Sequence, residues 1–217
     1  VAPDGRTLVT VHPGDSIARC WGLDRNIQPK LLIHHGFVLS VAFSPDGQYF
    51  TTNAADETQR LWSARGELLA TYRNVSTVDL LHTAAFSPES RQLLVLEDDQ
   101  TLKLYPLPVS SSARPLVLKE PKGTIVRAAF SSNGACWLLL SAGADGVAHR
   151  ARIIDWKGQV LSDQPLPVAG SLLNTAVPSQ DGKRLLLAAS DSTVSLWNMA
   201  EKKYVPLGTC TERHTHR

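Results

Sequence analysis

Three residues near the carboxyl end of the sequence have the types and spacing of a metal site. Cys210, His214 and His216 follow a Cys-x3-His-x-His order, and zinc prefers thiolate and imidazole ligands. A structural zinc ion takes four protein ligands, and no fourth candidate lies nearby in the sequence. We therefore predict neither a bound metal nor a cofactor.

A run of carboxylates at residues 97–99 could transfer protons or hold a cation. Asp99 stands six residues before the aromatic Tyr105, a spacing that recurs elsewhere in the chain. We interpret Asp99 as a turn residue, and Glu97 and Asp98 as solvated side chains at a loop tip.

An imidazole, a hydroxyl and a carboxylate, the components of a nucleophilic triad, occur at His34, Thr52 and Asp56. However, aspartate recurs six residues before an aromatic residue where no histidine accompanies it. A carboxylate that accepts N–H groups in a turn is useful without a partner base, which favours a structural role. The chain also lacks a phosphate-binding glycine loop and a Gly-x-Ser-x-Gly motif. The aspartate and aromatic pairs are Asp15 with Trp21, Asp56 with Trp62, Asp99 with Tyr105 and Asp191 with Trp197.

These residues belong to a unit that repeats about every 43 residues. Each copy runs from an apolar stretch into a Pro-Asp-Gly-like turn, then short β-rich runs, an Asp and an aromatic residue. In the fourth copy Ile154 takes the aromatic position, with three residues inserted after Asp145. The turns are 3–5, 45–47, 88–90, 132–134 and 180–182.

Four β-rich runs per repeat, without a helical period, predict an all-β chain with four-stranded antiparallel sheets arranged as the blades of a β-propeller. Five repeats fill the chain, so we expect one domain over residues 1–217. The predicted blades are 1–33, 34–74, 75–120, 121–168 and 169–210, and we expect the tail 211–217 to begin a further blade.

The segment Val41 to Gly47 and residues 186–198 resemble the repeats of the WD-repeat (Trp-Asp repeat) β-propeller family, in degenerate copies. The resemblance implies a buried hydrogen-bonded set of His34, Thr52, Asp56 and Trp62. It also implies a larger ring, commonly of seven blades. The alternative is a five-bladed ring with one incomplete blade.

Composition restricts the class of partner and the compartment. The net charge of +2 does not indicate nucleic-acid binding, and no apolar run is long enough to predict a membrane span. Three scattered cysteines fit a reducing compartment, so we expect a cytoplasmic location.

The resemblance implies a non-catalytic interaction or sensor scaffold that belongs to a larger signalling protein. Its expected partner is another protein or another domain of the same polypeptide. The alternative is a propeller hydrolase or lyase with its site in the central channel. The insertion in repeat four predicts a partner-binding surface, against the alternative of neutral variation in a surface loop. That surface would contain Glu97, Asp98, His149, Arg150 and Arg152.

Overall fold

The computed structural model describes residues 1–23, 28–73, 85–98, 100–110, 114–120, 123–143, 149–166 and 173–209. Within these ranges the chain forms nineteen β-strands in five antiparallel sheets, and no helix. The same residues accordingly contain no helix that could span a membrane. The predicted all-β class is confirmed, and four of the five described sheets have the four strands, paired in sequence order, of a propeller blade, whereas the first sheet has three.

The chain divides into two compact units, of which the first spans Val1–Lys119 and contains three sheets. The first sheet is three-stranded, with β1 (Thr7–Thr10), β2 (Ile17–Gly22) and β3 (Lys30–Ile33). The second contains β4 (Val38–Phe43), β5 (Tyr49–Ala54), β6 (Thr58–Ser63) and β7 (Leu68–Arg73). The third contains β8 (Ala85–Phe86), β9 (Gln92–Asp98), β10 (Thr101–Pro106) and β11 (Leu116–Lys119).

The second unit begins at Glu120 and contains two four-stranded sheets. The fourth sheet contains β12 (Gly123–Phe130), β13 (Cys136–Gly143), β14 (His149–Asp155) and β15 (Val160–Pro165). The fifth contains β16 (Leu173–Pro178), β17 (Arg184–Ala189), β18 (Thr193–Asn198) and β19 (Lys203–Thr209). Each of the five sheets lies within one of the repeat ranges given above, and the tail 211–217 lies outside the described residues.

Apolar side chains from facing sheets form the cores of both units. In the first unit, Phe50 and Trp62 of the second sheet pack with Leu32 of the first. Leu61 of the second sheet packs with Leu93 of the third. These contacts form because side chains alternate between the two faces of a strand, so each sheet presents an apolar row to a neighbour.

The core of the second unit lies between the fourth and fifth sheets. Leu138 and Ile153 of the fourth sheet pack against Leu185, Leu187 and Trp197 of the fifth. All five side chains are buried, so this contact provides the main apolar burial described in the unit.

The repeated turn has one hydrogen-bonding scheme. The Ser44 hydroxyl donates to the Asp46 carboxylate at 2.6 Å and accepts the Tyr49 N–H, while the Gly47 N–H donates to the Ser44 carbonyl. Gly47 has φ of +70°, a conformation that glycine adopts without a steric penalty. The third copy adopts it with a serine, Ser90, at φ of 58°.

Strand β14 corrects one prediction and confirms another. We expected His149, Arg150 and Arg152 in an inserted loop, but all three lie in β14. The pair Ala142–His149 makes this ladder one residue pair longer than the β5–β6 ladder of the second sheet. Ile154 pairs with Trp137 as Trp62 pairs with Phe50. The prediction that Ile154 takes the aromatic position is therefore confirmed.

We predict that Gly182→Ala destabilises the chain more than Gly5→Ala. Both glycines have positive φ, +67° and +69°, so each substitution introduces backbone strain of about 1–2 kcal/mol. A Cβ at Gly182 would also lie 2.7 Å from Cys136 Sγ, which adds about 1–3 kcal/mol of overpacking. At Gly5 nothing lies within 4 Å. Urea denaturation of the two variants measures the difference, and equal losses would contradict this reading of the turn.

Candidate functional site

Four side chains of the second sheet and its approach segment form a buried hydrogen-bonded set. Thr52 lies on β5, Trp62 on β6 and His34 just after β3, while Asp56 lies in the turn between β5 and β6. The Trp62 indole N–H donates to Thr52 Oγ1 at 2.8 Å, and Thr52 Oγ1 lies 2.7 Å from His34 Nε2. His34 Nδ1 lies 3.4 Å from Asp56 Oδ2.

The contacts assign the protons in this set. Because the ionised Asp56 carboxylate can only accept a hydrogen bond, the proton of neutral His34 is assigned to Nδ1, which faces it. His34 Nε2 then accepts the Thr52 hydroxyl proton, while the Thr52 oxygen accepts the indole N–H of Trp62. The set therefore links the last part of β3 to both central strands of the second sheet.

Asp56 also organises the turn between β5 and β6. Its Oδ1 accepts the Thr58 hydroxyl at 2.6 Å and the Thr58 N–H at 3.1 Å, and its Oδ2 accepts the His35 N–H at 2.9 Å. Thr58 was not predicted from the sequence, although a threonine follows the aspartate by two residues at both Asp56 and Asp191. Asp191 receives the same two hydrogen bonds from Thr193.

Burial decides the ionisation of this set. Burial lowers the pKa of His34 below its ordinary value of 6.5, and the positive charge of Arg60 lowers it further, against the opposing effect of Asp56. For Asp56, burial favours the neutral carboxyl, but hydrogen bonds from Thr58 and the His35 N–H outweigh it and hold the pKa below its ordinary value. His34 is consequently neutral and Asp56 ionised near pH 7.

The same burial argues against nucleophilic catalysis. Thr52 has no exposed surface and His34 is 3% exposed, so a substrate cannot reach the hydroxyl or the imidazole in this state. The hydroxyl and the imidazole are already hydrogen-bonded to each other, and they also contact Trp62 and Asp56 respectively. The arrangement fits a structural link, and it offers no reacting group to solvent.

Other sheets contain only parts of this set. In the first sheet, the Trp21 indole N–H donates to Thr10 Oγ1 at 3.0 Å, which reproduces the Trp62–Thr52 contact. In the fifth sheet, Leu187 occupies the position of that threonine. As a result, among the described residues the Trp197 indole N–H is buried without a hydrogen-bond acceptor.

The acidic residues of the third sheet, predicted to be solvated, make local contacts. Glu97 forms an ion pair with Lys103 at 2.6 Å, across the β9–β10 hairpin. Asp98 accepts the Gln100 N–H at 2.8 Å, which is the contact that Asp56 makes with the Thr58 N–H. We expected Asp99 in that role, and Asp99 lies outside the described residues.

The arginines of β14 differ in exposure and in partners. The exposed Arg150 makes a bidentate contact with Asp163 of β15, with Nη2 at 3.0 Å from Oδ2. Arg152 is mostly buried, pairs with the buried Glu120, and has Nε at 3.6 Å from Asp163. Together these four side chains form an alternating chain of charges within the second unit.

The predicted partner-binding residues are therefore not equivalent. His149 is 3% exposed, so its side chain is buried, whereas the side chain of Arg150 is half exposed. Glu97 and Asp98 lie in the first unit, whereas Arg150 and Arg152 lie in the second.

Among the described residues, no group of three or more His, Cys, Asp or Glu side chains could hold a metal ion. Cys210, His214 and His216 lie outside those residues.

A family model named WD domain, G-beta repeat matches residues 27–63 of this chain. The matched segment contains all four residues of the buried set, His34, Thr52, Asp56 and Trp62. Proteins of this family generally serve as non-catalytic scaffolds for protein interaction.

Three curated proteins illustrate the similarity. The Target of rapamycin complex subunit wat1 of Schizosaccharomyces pombe is 21% identical, over 94% of this chain and 65% of its own length. Transducin beta-like protein 2 of Homo sapiens is 28% identical, over 88% of this chain and 35% of its own. Jouberin of Rattus norvegicus is 24% identical, over 85% of this chain and 19% of its own. The predicted resemblance to WD-repeat proteins is confirmed, and the chain spans less than two thirds of each of these relatives.

We predict that Asp56→Ala lowers the free energy of unfolding by about 1–3 kcal/mol, because the Thr58 and His35 N–H groups lose their acceptor. Asp191→Ala, in a turn with no histidine at the corresponding place, is the matched control and costs less. Urea denaturation of both variants tests this difference. Equal losses would mean that the set around His34 adds nothing to the turn.

We predict that His34 makes stability fall below pH 6.5. The unfolded chain binds a proton at a pKa near 6.5, whereas the folded chain resists protonation of His34, so acid favours unfolding. The loss begins near pH 6.5 and continues down to the folded pKa, at up to about 1.4 kcal/mol per pH unit. Urea midpoints measured against pH should fall less steeply for His34→Gln, and identical slopes would refute this role.

Proposed function

We propose that this chain, with a WD repeat at residues 27–63, is a non-catalytic scaffold that binds another protein or another domain of the same polypeptide. The observation that carries the proposal is the burial of His34 and Thr52, which removes the best candidate for catalysis from solvent. The net charge of +2 supports a protein partner rather than a nucleic acid.

We further propose that the chain is the propeller region of a larger cytoplasmic signalling protein, in which it acts as a sensor or interaction module. The sizes of the similar proteins support this context, since the chain spans 65%, 35% and 19% of the three described above. One of them is named as a subunit of a complex. In this proposal each repeat range is one blade: 1–33, 34–74, 75–120, 121–168 and 169–210.

The partner-binding surface in the second unit is proposed to use Arg150, and Glu97 and Asp98 remain separate proposed partner-binding residues of the first unit. Arg150 is half exposed and held in a fixed orientation by Asp163, and a preorganised guanidinium loses little entropy when it binds. Arg is also enriched among the residues that dominate interface energies. We leave His149 out of the proposed binding surface because its side chain is buried. Arg152 serves chiefly as the ion-pair partner of Glu120.

We predict that Arg150→Glu weakens capture of the partner by about tenfold or more, because it places a second carboxylate beside Asp163. Capture on the immobilised chain, followed by quantification of the bound proteins, measures the loss. The melting temperature should change little, since the side chain is half exposed.

The matched control is Arg114→Glu, which makes the same charge change at another exposed arginine. Arg152 is left intact, because its removal would leave the buried Glu120 without its partner and confuse binding with folding. Loss of capture with Arg114→Glu and normal capture with Arg150→Glu would rule out the proposed surface.

A further inference from the structure

The tight turn of the fourth sheet differs from its equivalents in the residue before the turn glycine. The second and fifth sheets carry Asp46 and Asp181 at this position, whereas the fourth carries Asn133, followed by Gly134. This is the one Asn-Gly pair in the sequence. Because Asn133 is exposed, water reaches its side-chain amide.

The hydrogen bonds of this turn favour a carboxylate over an amide. The Ser44 and Ser179 hydroxyls each donate to the aspartate of their own turn at 2.6 Å. In the fourth turn the Ser131 hydroxyl donates to Asn133 Oδ1 at 3.0 Å. A hydrogen bond to an ionised acceptor is shorter and stronger than one between neutral groups. The turn would therefore hold an aspartate at position 133 more tightly than the asparagine.

The contacts of Asn133 also favour attack on its amide carbon. Its Oδ1 accepts the Ser131 hydroxyl and, at 3.1 Å, the Ala135 N–H. Donors on a carbonyl oxygen stabilise the negative charge that develops there when a nucleophile adds to the carbon. Gly134, the next residue, supplies a backbone nitrogen without a side chain to obstruct its approach.

We propose that Asn133 is a site of spontaneous deamidation and that the folded turn retains the aspartate product. The Gly134 nitrogen forms a bond to Asn133 Cγ and loses its proton, while Nδ2 gains a proton and leaves as ammonia. Water then opens the resulting succinimide ring. Cleavage of the new N–Cγ bond gives aspartate, whereas cleavage of the bond from nitrogen to the Asn133 backbone carbonyl carbon gives isoaspartate.

The fold decides between the two acids. Isoaspartate adds a methylene to the main chain, which would displace the Gly134 N–H from the Ser131 carbonyl that accepts it at 2.9 Å. Aspartate leaves the main chain unchanged and supplies the charged acceptor that the turn favours. Because either acid can close the ring again, the product that the turn holds better accumulates. The conversion lowers the net charge of the chain by one and makes this turn match the second and fifth.

The test compares the folded chain with a synthetic peptide of residues 129–138 in the same alkaline buffer. Digestion and mass spectrometry measure the extent of conversion, and labelling by an isoaspartyl methyltransferase measures the isoaspartate fraction. The chain should convert more slowly than the peptide, because the Gly134 N–H must first leave the Ser131 carbonyl. Its ratio of aspartate to isoaspartate should be at least about threefold higher than that of the peptide.

Asn198 is a matched control within the same chain. Its Oδ1 also accepts the N–H two residues ahead, from Ala200 at 3.1 Å, but Met199 follows it in place of a glycine. The Met199 side chain obstructs the approach of its nitrogen, and its N–H donates to the Lys183 carbonyl. Asn198 should therefore convert at least about tenfold more slowly than Asn133.

Three variants separate the turn contact from general stability. Ser131→Ala removes the hydroxyl from the modified turn and should lower the product ratio by about twofold or more. Ser44→Ala removes the equivalent hydroxyl in the second sheet and should leave the ratio unchanged. Asn133→Asp should raise the urea midpoint above that of the unmodified chain, because it supplies the charged acceptor.

Three outcomes would overturn the proposal. The first is an unmodified Asn133 in the folded chain after the peptide has reacted completely. The second is a product ratio equal to that of the peptide, or equal conversion at Asn198. The third is a lower urea midpoint for Asn133→Asp, because the turn would then favour the amide. None of these measurements involves Arg150, so the proposal does not depend on the binding surface proposed above.

Discussion

Burial of apolar rows between facing sheets is the interaction on which the rest of this structure depends. A sheet of short strands cannot bury its apolar side chains alone, and full burial of one leucine or isoleucine is worth about 1.5–3 kcal/mol. Leu61, Leu138 and Ile153 lose nearly all their exposed surface in contacts between sheets. The hydrogen-bonded turns and the set around His34 then fix which strands face each other, rather than supplying most of the free energy.

The repeat made the sheets predictable because it encodes the alternation of buried and exposed positions directly. A tight turn, two central strands and an aromatic position recur at regular spacing, and even the exceptional Ile154 was assigned its position from the sequence. The structure departs from the prediction where residues are added. The described β13–β14 ladder is one residue pair longer than that of the second sheet, and His149 lies in this added pair as a buried strand residue. Sequence spacing alone does not show where in an insertion the strand begins.

The charged contacts could not be predicted from spacing within a repeat. Arg150 and Asp163 are 13 residues apart and meet across neighbouring strands, while Arg152 and Glu120 are 32 residues apart. Such pairs depend on strand register and on where the connecting segment lies. The acidic segment illustrates the same limit. A shift in register between Thr101 and Leu102 accompanies the placement of Asp98 in the turn contact expected of its neighbour.

In each unit a turn glycine of one sheet lies against a buried cysteine of the preceding sheet, so the reactivity of that thiol reports local opening between the two sheets. A Cβ placed on Gly66 would lie 3.4 Å from Cys20 Sγ, and one on Gly182 would lie 2.7 Å from Cys136 Sγ. Both thiols are buried, and burial raises the pKa of Cys20. A thiol reagent reaches either sulfur only after the neighbouring turn lifts away. The alkylation rate of Cys20 therefore measures the opening of the first sheet from the second, and that of Cys136 measures the opening of the fourth from the fifth.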